Sequence, residues 1–298
     1  MVELDDILRR LEASLGPLSG EPVALHGGIT NRNFRVTLGG EDYVVRVPGK
    51  DTELLGIDRE TERLATEAAA RLGIAPAVAA ALEDCLVTRF ITCSPVDAQE
   101  LSERVEEIAL DLRAFHDSPT RLPASFWVPD LLDAYAAIVQ ERGGTLPPAY
   151  THALAVAERI GTAVALADPR PCHNDLLAGN IIRAQDDGRM MIVDWEYAGM
   201  GDPRFDLANL SVNNSFDEAD DERLLTAYQG RTPSEGERAA LKLMRVISDA
   251  REAAWGVVQA EVSELDFDFA RYAREHFERL CAAVEQPGFE EWLAAAHG

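Results

Sequence analysis

Apolar residues recur at helical spacing over residues 3–15, where Leu4, Ile7, Leu8 and Leu11 share a face, so a short amphipathic helix is expected there. The period changes after Gly16-Pro17. Val23-Ala24-Leu25, Phe34-Arg35-Val36-Thr37-Leu38 and Tyr43-Val44-Val45-Arg46-Val47 read as strands. The run Gly27 to Asn33 and the turn Gly39-Gly40-Glu41-Asp42 join them into an antiparallel meander. A helix over 58–72, closed by Gly73 and Pro76, and strands over 78–82 and 86–91 follow. From residue 97 the pattern is mostly helical, with segments at 97–116, 129–142, 149–165, 217–229, 235–262, 267–284 and 289–296. One β island interrupts them, where Ile181-Ile182-Arg183 and Met190-Met191-Ile192-Val193 flank Asp187-Gly188, a two-residue hairpin signal. The expected fold class is α+β: a small antiparallel β-sheet lobe with one prominent helix over residues 1–92, and a larger, mainly α-helical lobe over 93–298.

Composition narrows the function. With 298 residues, 47% hydrophobic and 27% charged, the chain is an ordinary globular protein of one large or two modest domains. A net charge of -24 argues against a sequence-independent nucleic-acid binder and against affinity for an anionic membrane, so neither partner is expected. A small cation would be attracted instead. No stretch reaches the roughly 18–20 apolar residues of a membrane span. The acidic start Met1-Val2-Glu3-Leu4-Asp5-Asp6 is unlike a signal peptide, and the four cysteines form no CxxC or zinc spacing. A reduced, cytoplasmic setting is expected. Only Lys50 and Lys242 are lysines; every other basic residue is arginine.

The run Cys172-His173-Asn174-Asp175-Leu176-Leu177-Ala178-Gly179-Asn180, the hairpin, and Val193-Asp194-Trp195-Glu196-Tyr197 carry the most chemistry. If Asp187 and Gly188 are the two loop residues, Asp194 faces Ile181, and Asn180 lies at the same open end of the hairpin. Asp175 sits on the loop that feeds that strand. An amide and two carboxylates then converge where a hard cation such as Mg²⁺ could sit with substrate phosphates. This is the kinase plan of a base, an Asn five residues on, and a second Asp after a hairpin. Asp175 and His173 are the catalytic candidates, and Asn180 and Asp194 the metal candidates. The plainer alternative is that Asp and Asn simply satisfy backbone donors in loops.

The small lobe should grip the nucleotide. Gly28, Thr30, Asn31 and Asn33 belong to the loop between the first strands, whose N–H groups could cover phosphates, although a Gly-Gly turn is common in any sheet. The cation on the third strand is Arg46, on the face opposite Val45 and Val47, and a guanidinium can clamp phosphate with two bonds. Lys50 at the strand's end is the rival. Glu60 and Glu62 on the next helix are both possible partners for Arg46, and spacing alone leaves the choice open.

These runs, together with Val45-Arg46-Val47-Pro48-Gly49, Ile57-Asp58-Arg59-Glu60-Thr61-Glu62 and Gly73-Ile74-Ala75-Pro76, resemble the choline/ethanolamine kinase family within the wider aminoglycoside phosphotransferase and protein-kinase-like superfamily. The resemblance spans residues 27 to 210. It implies a bilobal protein-kinase-like fold and phosphorylation of a small alcohol with ATP and Mg²⁺, choline or ethanolamine being the leading acceptors. It implies Arg46 for phosphate, Glu62 as its ion-pair partner, Asp175 as base, Asn180 and Asp194 as metal ligands, and a hinge for adenine near Arg89-Phe90-Ile91, so that Phe90 and Ile91 join the nucleotide site. Gly201-Asp202-Pro203-Arg204-Phe205-Asp206-Leu207-Ala208 looks more like the antibiotic phosphotransferases.

A quaternary ammonium calls for aromatic faces and carboxylates. Tyr197 and Glu196 lie just past Asp194, Trp255 follows Glu252 by three residues on a helix, and Asp268 and Tyr272 are four apart on the next. The same aromatics could instead be packing residues. Rival readings are a kinase of an aminoglycoside, thiamine or another hydroxylated metabolite, and a non-catalytic pseudokinase. The residue pattern leaves the oligomeric state open.

Overall fold

The computed structural model describes residues 4–25, 31–49, 52–166, 168–263 and 265–297. Helix α1 (Leu4–Leu15) leads into strands β1 (Leu18–Leu25), β2 (Asn31–Leu38) and β3 (Glu41–Pro48). Helix α2 (Arg59–Arg71) precedes β4 (Val78–Leu82) and β5 (Cys85–Arg89). These strands form one antiparallel sheet in the order β1-β2-β3-β5-β4. Alternation along β3 buries Tyr43, Val45 and Val47 on one face, where Ile7, Leu8 and Leu11 of α1 cover them. Each such aliphatic side chain contributes about 1.5–3 kcal/mol by leaving water. Arg46 is therefore turned to the other face, toward α2.

The rest of the chain is β6 (Cys93–Pro95), α3 (Ala98–Glu103), α4 (Val105–His116), α5 (Val128–Glu141), α6 (Pro148–Val164), β7 (Arg170–Cys172), β8 (Ile181–Ala184), β9 (Met190–Ile192), β10 (Gly199–Gly201), α7 (Pro203–Asn213), α8 (Glu218–Gln229), α9 (Glu235–Val262), α10 (Phe269–Val284) and α11 (Phe289–Ala296). Helix α9 is buried over most of its length beneath α5, α7, α10 and α11. Helix α2 contributes Ala65, Ala68 and Ala69 to this larger core rather than to that of the sheet. No described helix is long and apolar enough to cross a membrane.

The architecture is the α+β arrangement expected, with local corrections. The hairpin pairs Ile181 with Ile192 and Arg183 with Met190, and its loop runs from Gln185 to Gly188 instead of holding Asp187 and Gly188 alone. Asp194 therefore does not face Ile181. The shift moves each partner by two residues, which keeps every side chain on its expected face. Asn180 and Asp194 still share the open end, where Val193 N donates to Asn180 O at 2.9 Å. The segment 97–116 is broken at Arg104, whose backbone is not helical, into α3 and α4. Strand β1 begins at Leu18, five residues before the expected start, and β5 stops at Arg89 instead of Ile91. Helix α7 was not expected. It starts at Pro203 behind the Asp202 cap and lacks amphipathic periodicity because both its faces are buried.

Candidate active site

The loop after β7 is built around Asp206 of α7. One carboxylate oxygen accepts from His173 N (2.7 Å) and His116 Nε2 (2.9 Å), and the other from Asn174 N (2.7 Å). Burial works against its charge, but the bond and charge of His116, with help from His173, win and hold its pKa below the usual carboxylate value. Asn209 Oδ1 takes Leu176 N, and Asn214 Nδ2 donates to Leu176 O at 3.1 Å. Helix α7 and its C-terminal turn thus pin the backbone on both sides of Asp175. Asn174 lies in the left-handed region at φ 69, as does Asp194 at φ 66, a conformation that short polar residues tolerate.

His173 does not reach the surface. It is fully buried, its ring stacks edge-on against Trp195 at 4.6 Å, and Nδ1 accepts from Asp175 N at 3.1 Å. Its proton then sits on Nε2, which donates to Val193 O at 3.0 Å. Burial lowers its pKa and keeps it neutral. His173 is a positioning residue that ties the Asp175 loop to the strand leading to Asp194.

Asn180 Nδ2 donates to the Asp175 carbonyl oxygen (2.8 Å) and to Asp175 Oδ2 (2.9 Å). Asp175 is 8% exposed. Burial pushes its carboxyl up to about 8 against the pull of Arg251, with Glu252, Asp194 and Glu196 adding to the rise. From the sheet, Arg46 Nη1 meets Glu62 Oε1 at 2.9 Å and Asp194 Oδ1 at 2.6 Å. Burial disfavours the Arg46 charge, yet Asp194 and Glu62 outweigh it and hold the pKa above its ordinary value. The open choice between Glu60 and Glu62 is resolved by contact, since Glu60 pairs with Arg63 at the surface.

The residues expected to bind the nucleotide divide. Asn31 donates to Glu196 Oε2 (2.7 Å) and accepts from Arg59 Nη2 (3.2 Å), while Asn33 stands opposite Arg46 in the sheet register. Gly28, Thr30 and the rival cation Lys50 lie outside the described residues. Phe90 packs under the Arg35 guanidinium at 4.3 Å, and its N–H is taken by Asp42 O. Ile91 follows the end of β5.

Among the residues expected for the acceptor, Trp255 Nε1 donates to the Tyr197 hydroxyl (2.8 Å) and the Tyr272 hydroxyl to Glu252 Oε2 (2.7 Å). These four expected residues come together. Two do not join them: Asp268 is exposed and caps α10 by accepting from Arg271 N, and Glu196 points to Asn31 and Arg59. Burial and Asp194 push the Glu196 carboxyl up to about 7. Sequence reasoning missed Arg59, Asp206 and Arg251. Asp206 stood in the run 201–208, and Arg251 sits beside Glu252 in a stretch of α9 that also carries Arg245 and Asp249, so no local pattern set it apart.

Two oxygens at the open end of the hairpin, Asn180 Oδ1 and Asp194 Oδ2, take no hydrogen bond from the described residues. An amide and a carboxylate oxygen, beside a second carboxylate and a doubly paired arginine, suit phosphoryl transfer. Residues 21–243 match the phosphotransferase enzyme family. The chain belongs to that family. It is similar over almost its whole length to a choline/ethanolamine kinase family protein from Mesorhizobium loti, with 31% identity, 98% of each chain covered and a TM-score of 0.80. It is 28% identical to ethanolamine kinase 2 of Mus musculus, covering 96% of this chain and 85% of that one. A structure of LicA in complex with AMP shares the fold at a TM-score of 0.73 and 24% identity, covering 93% and 98% of the two chains. As a member of the phosphotransferase enzyme family, the protein is a small-molecule phosphotransferase with an alcohol group as acceptor.

Proposed function

We propose that the protein transfers the γ-phosphoryl group of ATP, bound with Mg²⁺, to the hydroxyl of a small amino alcohol of the choline and ethanolamine class. The meeting of Asp175, Asn180 and Asp194 at one end of the hairpin, with Arg46 reaching them from the sheet, carries this reading. The AMP held by LicA and the names of the kinases similar to this chain support it.

Asp175 orients the acceptor hydroxyl and takes its proton; a carboxyl raised toward neutrality is matched to that task. Arg46, held by Glu62, presents its guanidinium to the phosphates, exchanging its contact with Asp194 for phosphate oxygens. Asn180 and Asp194 would hold Mg²⁺ through their uncommitted oxygens, and the ion would neutralise charge on the transferred group. Asp206 and His173 keep the loop in register but touch no reacting atom. Alignment and charge neutralisation supply most of the rate in such a reaction, so rigid support counts as much as the base.

The test is ATP consumption by the purified protein across a panel of amino alcohols, with Mg²⁺ and after its chelation. Turnover of choline or ethanolamine that needs Mg²⁺ and vanishes in Asp175→Ala is expected. Saturation by an aminoglycoside alone would reject the amino-alcohol assignment.

A further inference from the structure

The aromatic and acidic cluster on the acceptor side already contains a cation of its own. Arg251 is 1% exposed, its guanidinium lies 4.4 Å over the Tyr197 ring, and Nη1 reaches Glu252 Oε1 at 2.8 Å and Asp175 Oδ1 at 3.3 Å. The other two nitrogens, Nε and Nη2, are shut off from solvent and have no partner among the described residues. Those two N–H groups form one edge of the planar guanidinium, the edge that grips a carboxylate with two parallel bonds. A buried polar group left unpaired is rare enough to need a reason.

Charge decides what that edge receives. Arg251 is shared between two acids, Asp175 and Glu252, with Asp194 and Glu196 close by. A bare dianion would be repelled there. A quaternary ammonium alone would face the guanidinium and offer Glu252 no N–H. A zwitterion satisfies both ends, because buried charges are tolerated when paired.

We propose that the acceptor is a hydroxy-amino acid. Its carboxylate is bound by the Nε–Nη2 edge of Arg251, its ammonium by Glu252 and the faces of Tyr197, Trp255 and Tyr272, and its hydroxyl by Asp175. The hydroxyl oxygen forms the new bond to the γ-phosphorus as its proton passes to Asp175. The bond to the β–γ bridging oxygen breaks, and ADP leaves with that electron pair. This assignment rests on the phosphotransferase reading above and adds one demand to it, a carboxylate on the acceptor.

The test compares matched acceptors that differ by that carboxylate alone: serine against ethanolamine, and homoserine against 3-aminopropanol, with choline and glycerol phosphate as further arms. In the wild-type protein the carboxylated member of a pair should win by about 100-fold or more in kcat/KM. The ratio within the pair should collapse toward unity in Arg251→Gln and fall in Arg251→Lys, which keeps charge but loses the fork. Because the ratio is taken within one protein, general damage to Asp175 cancels. Should Arg251→Gln fail to fold, the lysine variant and thermal stabilisation of the wild type by serine without nucleotide carry the test. Turnover of ethanolamine or choline with no gain from the carboxylate overturns this proposal and leaves the broader function standing. Preference for glycerol phosphate overturns it in favour of a phosphate-bearing acceptor. ATP consumption with no acceptor of either kind overturns both.

Discussion

Arg46 and Asp194, 148 residues apart in the chain, meet through one guanidinium nitrogen and one carboxylate oxygen at 2.6 Å. The contact joins the antiparallel sheet to the hairpin. It also occupies Arg46 and one oxygen of Asp194 together, so under the proposed function nucleotide entry would divide the pair between phosphate and metal.

Arg46→Gln therefore affects nucleotide binding first. It removes the cation proposed to face the phosphates and leaves Glu62 paired with Arg59. Initial rates at varied ATP should show KM raised about tenfold or more, with a smaller fall in kcat. An unchanged KM for ATP would separate Arg46 from the phosphates.

Asp175 and Asp194 should fail in different ways. Asp175→Ala removes the proton acceptor, and kcat should drop about 10²–10⁴-fold while ATP affinity measured by calorimetry holds. Asp194→Ala should instead weaken ATP binding in the presence of Mg²⁺ and flatten its dependence on the metal. Identical phenotypes for the two variants would contradict the separate roles.

How much of this was legible in the sequence varied with the physical origin of each feature. Strand alternation exposed Arg46, because Val45 and Val47 needed the core and the pleat did the rest. The spacing of Asp175, Asn180 and Asp194 survived an error in the hairpin loop, since a shift of two residues preserves the face. Helix α7 escaped notice because a helix buried all round has no polar stripe. Asp206 and Arg251 were invisible for a different reason. Their partners lie 33 and 76 residues away, and no local pattern encodes that His173 N and Asp175 Oδ1 will be there. Asp268 was misplaced by the same limit, as its spacing to Tyr272 describes a helix cap equally well.

Asp206→Asn should be one of the more damaging substitutions in the chain. It presents an NH₂ group to donors that all require an acceptor, namely His173 N, Asn174 N and His116 Nε2. A loss of about 3 kcal/mol is expected. The folded-state pKa of Asp206 lies below the ordinary value of 3.8, so its charged form stabilises the fold above that pH and the contribution is lost as pH falls through the lower value. Urea unfolding of both proteins from pH 7 down to pH 3 should show the gap between them narrowing at the acid end. A gap independent of pH would mean that the charge of Asp206 is not what holds the loop.

Asp111 on α4 runs the other way. Burial pushes its carboxyl up to about 6, opposed by Arg189 and aided by Glu107. A folded pKa above the ordinary 3.8 means that deprotonation weakens the fold as pH rises from about 4 through 6. Asp111→Asn removes that burden. Thermal melts should show the variant more stable than wild type at pH 8 and level with it near pH 4. Equal melting temperatures at both pH values would show that the carboxylate is solvated after all.

Gly39 sets how α1 meets the sheet. Its backbone is left-handed at φ +59, and a Cβ there would fall 2.3 Å from Leu15 O, the last residue of α1. Gly40, at φ +87, has open space around the same atom. Alanine at 40 should then reflect conformation alone, about 1–2 kcal/mol. Alanine at 39 adds a backbone clash, and about 2–4 kcal/mol is expected. Relief of the clash means lifting α1, with Ile7, Leu8 and Leu11, away from Val45 and Val47. Hydrogen exchange in Gly39→Ala should accordingly quicken in α1 and β3 while α9 stays protected. If the two variants unfold at the same denaturant concentration, the contact between Gly39 and Leu15 contributes nothing to the seating of that helix.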